Sequence, residues 1–402
     1  MNRDIFLLGI TRVIRSFSFG YIAFLLPLYL KAMGFSVELI GLYALVATIS
    51  SSILVIISGF LGDIYSRKKT LLIMSALPIF AMIILISTKS IPLLFASSVF
   101  GLTFAAMGGG AGGGPIAPLQ TAMVASRVKE GRTKVYSYLT TAATFSAIAG
   151  GFFSSYVIQT VKDYYHVLFT LALALMTASL IAVALISEEP DKVPNVVKRS
   201  VLPKKSARNI TKVAVSGMFG SLGLGMILPL LPIYFKDIGA NDFTISLIYD
   251  ASYIVAGISV LFASKVEKIF GTVNGIFIFR SLGTLPLILI PFFHDIAIAG
   301  AIYVMRTGFY QLALPMRQNL SMDLYSPEER SRGLSFTGVA RRLPYGVASV
   351  VGSTLLALGL YVLLFSISGF IAFLDPMLYY IFFREYNKPS RSVEKEKHVD
   401  VG

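Results

Sequence analysis

The chain has 402 residues, of which 55% are hydrophobic and only 14% are charged, with a net charge of +14. Globular chains are about one-quarter charged, so this composition favours a lipid bilayer as the surroundings of much of the chain. Cys is absent and the only His residues are His166, His294 and His398, which lie near loops or in the tail. We therefore expect no metal site, no cofactor and no enzymatic activity.

Long apolar segments follow one another along the whole chain. A helix needs about 20 apolar residues to cross the hydrocarbon layer. Twelve such segments can be read, at about 5–31, 38–61, 70–87, 91–126, 134–158, 165–187, 209–235, 243–264, 272–293, 295–324, 333–358 and 360–383. Lipid-exposed backbone must satisfy its own hydrogen bonds. We predict an all-α membrane protein with twelve transmembrane helices.

The basic residues are distributed unevenly between the two ends of these segments. Seven Arg lie inside the apolar segments. Of the other Lys and Arg, only Lys31, Lys89, Lys162 and Lys236 fall on one side, and the rest fall on the opposite side. Cytoplasmic loops carry the excess of Lys and Arg. This pattern predicts a multi-pass protein of the cell membrane with both termini in the cytoplasm. The positive charge therefore reflects topology and lipid contact, and nucleic-acid binding is not expected.

The chain divides into two halves that repeat. Residues 188–208 form the only long polar linker, so we predict six-helix bundles at 1–187 and 209–384 and a cytoplasmic tail at 385–402. The sequence LPLYLK at 26–31, followed by Gly34, recurs as LPIYFK at 231–236, followed by Gly239. Parallel repeats of this kind describe one known plan of membrane transporters. The repeat predicts two pseudo-symmetric bundles.

A charged motif joins the second and third segments. Residues 59–69 read GFLGDIYSRKK. Gly59 and Asp63 are four residues apart and share one helix face. Asp63 lies at the negative C-terminal end of its helix, where a carboxylate is unfavourable without a partner. Arg67 and Lys68 follow in the loop, and an alternative role for these bases is only to fix topology.

This motif and the repeat resemble the major facilitator superfamily over essentially the whole chain. In that family a Gly, an acid four residues later and an Arg/Lys cluster follow the second span, although Ile64 and Ser66 depart from the usual residues. The resemblance implies two six-helix bundles and secondary active transport by alternating access. It also implies that Gly59, Asp63, Arg67 and Lys68 form a cytoplasmic latch with the start of the eleventh span. Spans one, four, seven and ten would line a central cavity.

Charged residues at mid-depth are costly and are therefore candidates for function. The only acid placed well within the hydrocarbon and away from the inner end of a span is Asp250, which we expect to carry a coupling proton. Arg15 and Arg306 come from opposite halves, and guanidinium groups suit a carboxylate or phosphate. An alternative is a structural Asp250–Arg306 pair. Neighbouring candidates for substrate contact are Tyr253, Tyr310 and Gln311.

Other buried charges are interpreted as structural. Arg280 and Asp375 lie at similar depth in spans nine and twelve, which the resemblance makes peripheral, and we predict an ion pair between them. Arg12, Arg341 and Arg342 lie close enough to the cytoplasmic end for their side chains to reach the interface.

A glycine-rich run interrupts the fourth segment. Each Gly costs about 1 kcal/mol relative to Ala in a helix. The run is therefore a candidate hinge, formed by Gly108, Gly109, Gly110, Gly112, Gly113, Gly114 and Pro115. Two alternatives are exposed carbonyls that contact substrate and close packing against a neighbouring helix.

Together these features predict a secondary active transporter of a small organic solute, proton-coupled and with a slight preference for an anion. The expected partners are the solute, a proton or other coupling ion, and the bilayer, and we expect a monomer. One alternative is efflux of hydrophobic drugs by proton antiport. The resemblance would then imply an Arg in span four, where Phe104, Ala105 and Ala106 stand. It would also imply a Gly-Pro pair in span five, where Ala149-Gly150-Gly151 has no Pro. A second alternative is a membrane receptor or sensor without transport.

Overall fold

The computed structural model describes residues 3–102, 114–128, 132–187, 205–326 and 329–387. Within these ranges the chain folds into sixteen α-helices and three short 3-10 turns. The helices are α1 Arg3–Ala32, α2 Val37–Ile64, α3 Arg67–Ser87, α4 Ile91–Ala96, α5 Ile116–Arg127, α6 Arg132–Thr160, α7 Tyr164–Ala184, α8 Ala207–Ile227, α9 Leu231–Asp237, α10 Asp242–Leu261, α11 Ala263–Phe270, α12 Thr272–Thr284, α13 Ile296–Leu312, α14 Leu314–Leu324, α15 Arg330–Ala357 and α16 Tyr361–Phe383. The 3-10 turns are Ser97–Phe100, Leu285–Phe292 and Arg384–Tyr386.

Nine helical segments of the described chain are long and apolar enough to cross a membrane, at the first to third, fifth to ninth and twelfth predicted spans. The predicted fourth span appears as helices on either side of residues 103–113, which lie outside the described ranges. The tenth is divided into α13 and α14 at Ala313. Pro315 accounts for this break, because it lies in the first turn of α14, where its missing N–H costs no helical hydrogen bond.

The repeated LPxYxK sequence adopts two different local structures. Pro27 lies inside the continuous helix α1, whereas Pro232 begins the short helix α9 after a break that follows Ile227. A Pro inside a helix removes one backbone hydrogen bond and can be tolerated or can end the helix. The same six-residue pattern therefore fixes a helix end at only one of its two copies.

Contacts divide the protein into two compact units. Unit 1 contains residues 1–199, 228–250 and 349–358. In it, α1 packs against α6 and α7, and α3 packs against α7. A Cβ at Gly20 would overlap the backbone carbonyl of Ala147, so α1 and α6 approach closely. The apolar core of this unit includes Leu8, Leu71, Met74, Ile116, Leu119, Met123, Val124, Val183 and Ile186.

Unit 2 contains residues 200–227, 251–348 and 359–402. Helix α16 packs against α8 and α12. A Cβ at Gly223 would overlap the carbonyl of Ser368, and one at Gly225 would overlap the carbonyl of Tyr345. The core of unit 2 includes Ile210, Val213, Val273, Ile276, Met316, Leu320, Tyr379 and Phe383.

The close glycine contacts follow the sequence repeat. Gly20 precedes its LPxYxK copy by the same distance as Gly225 precedes the second copy. Each glycine faces a backbone carbonyl of the helix at the predicted fifth or eleventh span. The repeat is thus expressed in packing within each unit as well as in sequence. The predicted bundle boundaries remain a prediction, because residues 188–204 of the linker and 388–402 of the tail lie outside the described ranges.

Candidate functional site

Asp250 is a buried acid in unit 1, with a side chain on α10 and an exposed fraction of only 1%. Its Oδ2 accepts a hydrogen bond of 2.7 Å from the Ser155 hydroxyl, which lies 2.8 Å from Ser246 Oγ. Its Oδ1 has no hydrogen-bond partner among the described residues. Gly151 makes this arrangement possible, because a Cβ there would overlap Oδ1. The carboxyl group is therefore held by hydroxyl groups.

A second buried carboxyl group, Asp375 on α16 in unit 2, is held by cations. Its Oδ2 forms ion pairs with Arg280 Nη2 and, at 3.1 Å, with Arg317 Nη1. All three side chains are at most 5% exposed. The structure thus pairs Arg280 with Asp375, as expected from their depth, and adds Arg317 from α14. Gly220 provides the space, because its missing Cβ would lie 2.9 Å from Asp375 Cβ.

Tyr310 connects this ion pair to Arg306. The Tyr310 hydroxyl accepts a hydrogen bond of 2.8 Å from Arg280 Nη2. Its ring centroid lies 4.2 Å from Arg280 Cζ and 5.2 Å from Arg306 Cζ, so both guanidinium groups contact one aromatic ring. Arg306 is 2% exposed and donates from Nε to the Gly283 carbonyl at 2.6 Å.

Arg341 on α15 joins the same region of unit 2. A Cβ at Gly217 would lie 2.8 Å from Arg341 Cδ and 3.0 Å from Arg317 Nη2, so both arginines pack against this glycine. Arg341 also lies within electrostatic reach of Arg280 and Asp375. We call Arg280, Arg306, Arg317 and Arg341 the arginine cluster. From its position in the sequence, the Arg341 side chain was expected to extend to the cytoplasmic interface of the membrane. In the structure it packs beside other buried charged residues.

The remaining substrate candidates are distributed over both units. Arg15 belongs to unit 1, is 7% exposed, and lies with Cζ 5.7 Å from the Phe19 ring centroid. Tyr253 and Gln311 belong to unit 2 and are also buried. The convergence of Arg15 and Arg306 on one cavity stays a prediction.

The latch and hinge candidates are described only in part. A Cβ at Gly59 would meet no described atom within 4 Å. Arg67 begins α3, and Arg67 and Lys68 are half-buried. The Asp63 side chain lies outside the described residues, so the latch stays a prediction.

In the glycine run, residues 108–110, 112 and 113 also lie outside the described ranges. Gly114 has φ +77°, a left-handed conformation suited to glycine, and helix α5 begins after Pro115. A helix therefore starts at the end of the run, and the hinge itself stays a prediction.

A polar cluster in unit 1 was missed by the sequence analysis. The Asp242 Oδ2 atom accepts hydrogen bonds from the hydroxyls of Tyr164 at 2.5 Å and Tyr165 at 2.6 Å, and Oδ1 pairs with Lys236. We call these four residues the Asp242 cluster. It joins α7 of the first sequence half to α9 and α10 of the second. The available signal was an acid just after the second LPxYxK copy and a Tyr pair that begins a span.

The chain belongs to the Major Facilitator Superfamily. The model of this family matches residues 8–212 and 213–401, that is, the two sequence halves in turn. The protein is therefore a multi-pass membrane protein and a secondary transporter, from a family of transporters and not of enzymes.

Solved transporter structures have the same fold. A variant of the nucleoside transporter NupG matches with a TM-score of 0.75 and 12% identity over 95% of this chain and 99% of that chain. The D-xylose-proton symporter matches with a TM-score of 0.72 and 15% identity over 94% and 98% of the two chains. The POT family transporter PepTSo matches with a TM-score of 0.72 and 11% identity over 96% and 98%. No curated protein matches the chain in sequence. At these identities the likeness concerns the fold alone.

Proposed function

We propose that the protein is a proton-coupled secondary transporter of a small organic solute, with a preference for anions, that works by alternating access in the cell membrane. The observation that carries the proton coupling is Asp250, a fully buried acid whose described partner is a hydroxyl group. Both termini are proposed to face the cytoplasm, in accordance with the distribution of Lys and Arg.

Burial with no cation among its described partners makes the charged form of the Asp250 carboxyl group expensive. An isolated carboxylate in a low-dielectric interior costs several kcal/mol even after relaxation. Protonation removes this cost, while the Ser155 hydroxyl can bond either form, since a hydroxyl both donates and accepts. Asp250 would thus be neutral when buried and would release its proton when water reaches it during the transport cycle.

The similar structures are compatible with this proposal. One of them is described as a proton symporter of D-xylose. That name concerns another protein, and it does not give the solute of this chain. The preference for an anion rests instead on the buried arginines, among them Arg15 and Arg306.

Transport measurements in liposomes test the proton coupling. A ligand screen by thermal shift would first identify a solute, and uptake would then be driven by an imposed pH gradient. We expect Asp250→Asn to abolish accumulation against the solute gradient while solute exchange without a pH gradient continues. Asp323→Asn, which changes an exposed acid in α14, is the matched control and should accumulate solute like the wild type. Accumulation by Asp250→Asn at the wild-type level would refute the proposal.

A further inference from the structure

We infer that the arginine cluster binds the anionic group of the solute, a carboxylate or a phosphate, and that Tyr310 orients two of its guanidinium groups. The inference rests on the proposed function in one respect, because it names the class of the transported solute. Binding of the anion does not require proton coupling, so the anion-binding inference and the proposed proton coupling can be refuted separately.

The first argument is charge balance. The side chains of Arg280, Arg306 and Arg317 are at most 5% exposed, and Arg341 is half-buried beside them. Arginine keeps its charge in proteins. Among the described residues, Asp375 is the one carboxylate that pairs with this cluster. Three buried cations and a half-buried fourth share one buried anion, so the excess positive charge favours binding of a further anion.

The second argument is hydrogen bonding. Buried donors nearly always have acceptors, and an exception needs an explanation. Guanidinium nitrogens without an acceptor in the described chain occur on every member of the cluster: Arg280 Nε and Nη1, Arg306 Nη2, Arg317 Nη2 and Arg341 Nε. These donors come from four consecutive helices, α12 to α15. A ligand with two or three oxygens on one centre, such as carboxylate or phosphate, satisfies several of them together.

The third argument is preorganisation. The Tyr310 ring contacts both Arg280 and Arg306, and its hydroxyl receives a hydrogen bond from Arg280. A guanidinium stacked on an aromatic ring keeps a fixed plane and loses less freedom on binding. Gly217 and Gly283 let these side chains pack directly against the helix backbone, because a Cβ would meet Arg341 Cδ at 2.8 Å and Tyr310 Cβ at 2.7 Å respectively.

Asp375 narrows the class of solute further. Its Oδ2 is occupied by two arginines, but its Oδ1 has no partner among the described residues. An acceptor beside an anion site suits a donor on the same ligand. The geometry therefore favours an organic anion that also carries a hydroxyl group over a simple inorganic anion.

Binding measurements on the purified full chain test the inference. The probes are inorganic phosphate, succinate and malate, the last a dicarboxylate with a hydroxyl group, compared with chloride at equal ionic strength in detergent without anionic lipid. We expect a polyvalent probe to raise the unfolding temperature more than chloride does, with malate more effective than succinate. Equal effects of all probes and chloride on the wild type would overturn the inference without any variant.

Substitutions in the arginine cluster test whether the anionic probe binds there. Arg306→Gln removes one guanidinium group but leaves the ion pairs of Asp375 with Arg280 and Arg317 intact. Arg341→Gln is a second variant that also removes one guanidinium group and keeps both ion pairs. We expect affinity for the best probe to fall about tenfold or more, as for the loss of one charge-assisted hydrogen bond. Arg384→Gln, at an exposed Arg after α16, is the matched control and should bind like the wild type.

The outcomes separate this inference from the proposed function. If both cluster variants bind the probe as tightly as Arg384→Gln, the cluster is not the site, whether or not transport is proton-coupled. If Asp250→Asn loses proton-driven accumulation and the cluster variants lose affinity, both stand. If Asp250→Asn still accumulates solute but the cluster variants lose affinity, only the proton coupling is refuted.

Discussion

We predict that the Asp242 cluster holds the two sequence halves together at the end that is expected to face away from the cytoplasm. Asp242 is 4% exposed and holds Tyr164, Tyr165 and Lys236 together within unit 1. A transporter that works by alternating access must break contacts between its halves on one side. Asp242→Asn should therefore favour the state in which this end is open.

The free-energy cost of Asp242→Asn can be estimated from the hydrogen bonds and the ion pair that Asp242 makes. Hydrogen bonds to a charged group contribute about 1.5–3 kcal/mol and those between neutral groups about 0.5–1.5 kcal/mol. Both tyrosines bond Oδ2, so each of these two bonds weakens by about 1–1.5 kcal/mol when the acceptor becomes a neutral amide. The Lys236 side chain is 44% exposed, so its ion pair adds about 0–1 kcal/mol. A total of about 2–3 kcal/mol corresponds to a shift of roughly 30- to 150-fold in the equilibrium. A minor state populated at about 1% would rise to roughly 23–60% of the population.

Distance measurements between spin labels test this shift. The chain contains no Cys, so labels can be attached at Lys162→Cys and Leu358→Cys, exposed positions from the two sequence halves. We expect Asp242→Asn to add a population at longer distance. Asp237→Asn is the control, because its pair with Lys31 is partly exposed and contributes little. An unchanged distance distribution in Asp242→Asn would refute the reasoning.

Two further predictions concern stability and are measured by thermal unfolding in detergent. Gly225→Ala should destabilise the protein by about 1–3 kcal/mol or more, because the new Cβ would lie 2.8 Å from Tyr345 Cα and the helices must separate. In contrast, Gly338→Ala, at an exposed helix position with no described atom within 4 Å, should stabilise it slightly. Asp375→Asn should cost about 3–5 kcal/mol, because two buried arginines lose their counter-ion, whereas Asp323→Asn should be close to neutral. Equal unfolding temperatures within either pair of variants would contradict that prediction.

The fold could be predicted from the sequence because its main signals are local. The length of each apolar segment and the Lys and Arg of each loop can be read from short stretches of sequence, and the LPxYxK repeat from comparing two such stretches. The family match and the transporter structures confirm the multi-pass membrane protein that these signals indicated. Helix breaks were less predictable. Pro27 and Pro232 occupy equivalent positions, yet only Pro232 begins a new helix. The outcome depends on packing around each copy, which local sequence does not contain.

The sequence predicted which charged residues of the candidate site are buried, but it did not predict which side chains bond to them. The depth of Asp250, Arg280 and Asp375 followed from their position within apolar segments. The Ser155 hydroxyl that bonds Asp250 is far away in sequence and resembles many other serines. Similarly, Arg317 reaches Asp375 from α14, a helix that the sequence merged with α13.

The two units hold their buried carboxyl groups in different ways, by a hydroxyl group in unit 1 and by arginines in unit 2, and this has a consequence for mechanism. In unit 1 the carboxyl group of Asp250 has a hydroxyl partner, whereas in unit 2 Asp375 pairs with Arg280 and Arg317, beside two further arginines. If the first group handles the proton and the second the anionic solute, no single residue performs both tasks. Coupling must then pass through the conformational equilibrium, since each ligand can only shift that equilibrium by its differential affinity for the two states. Substitutions at Asp250 should accordingly change the pH dependence of transport and leave solute affinity intact. Substitutions at Arg306 should do the reverse.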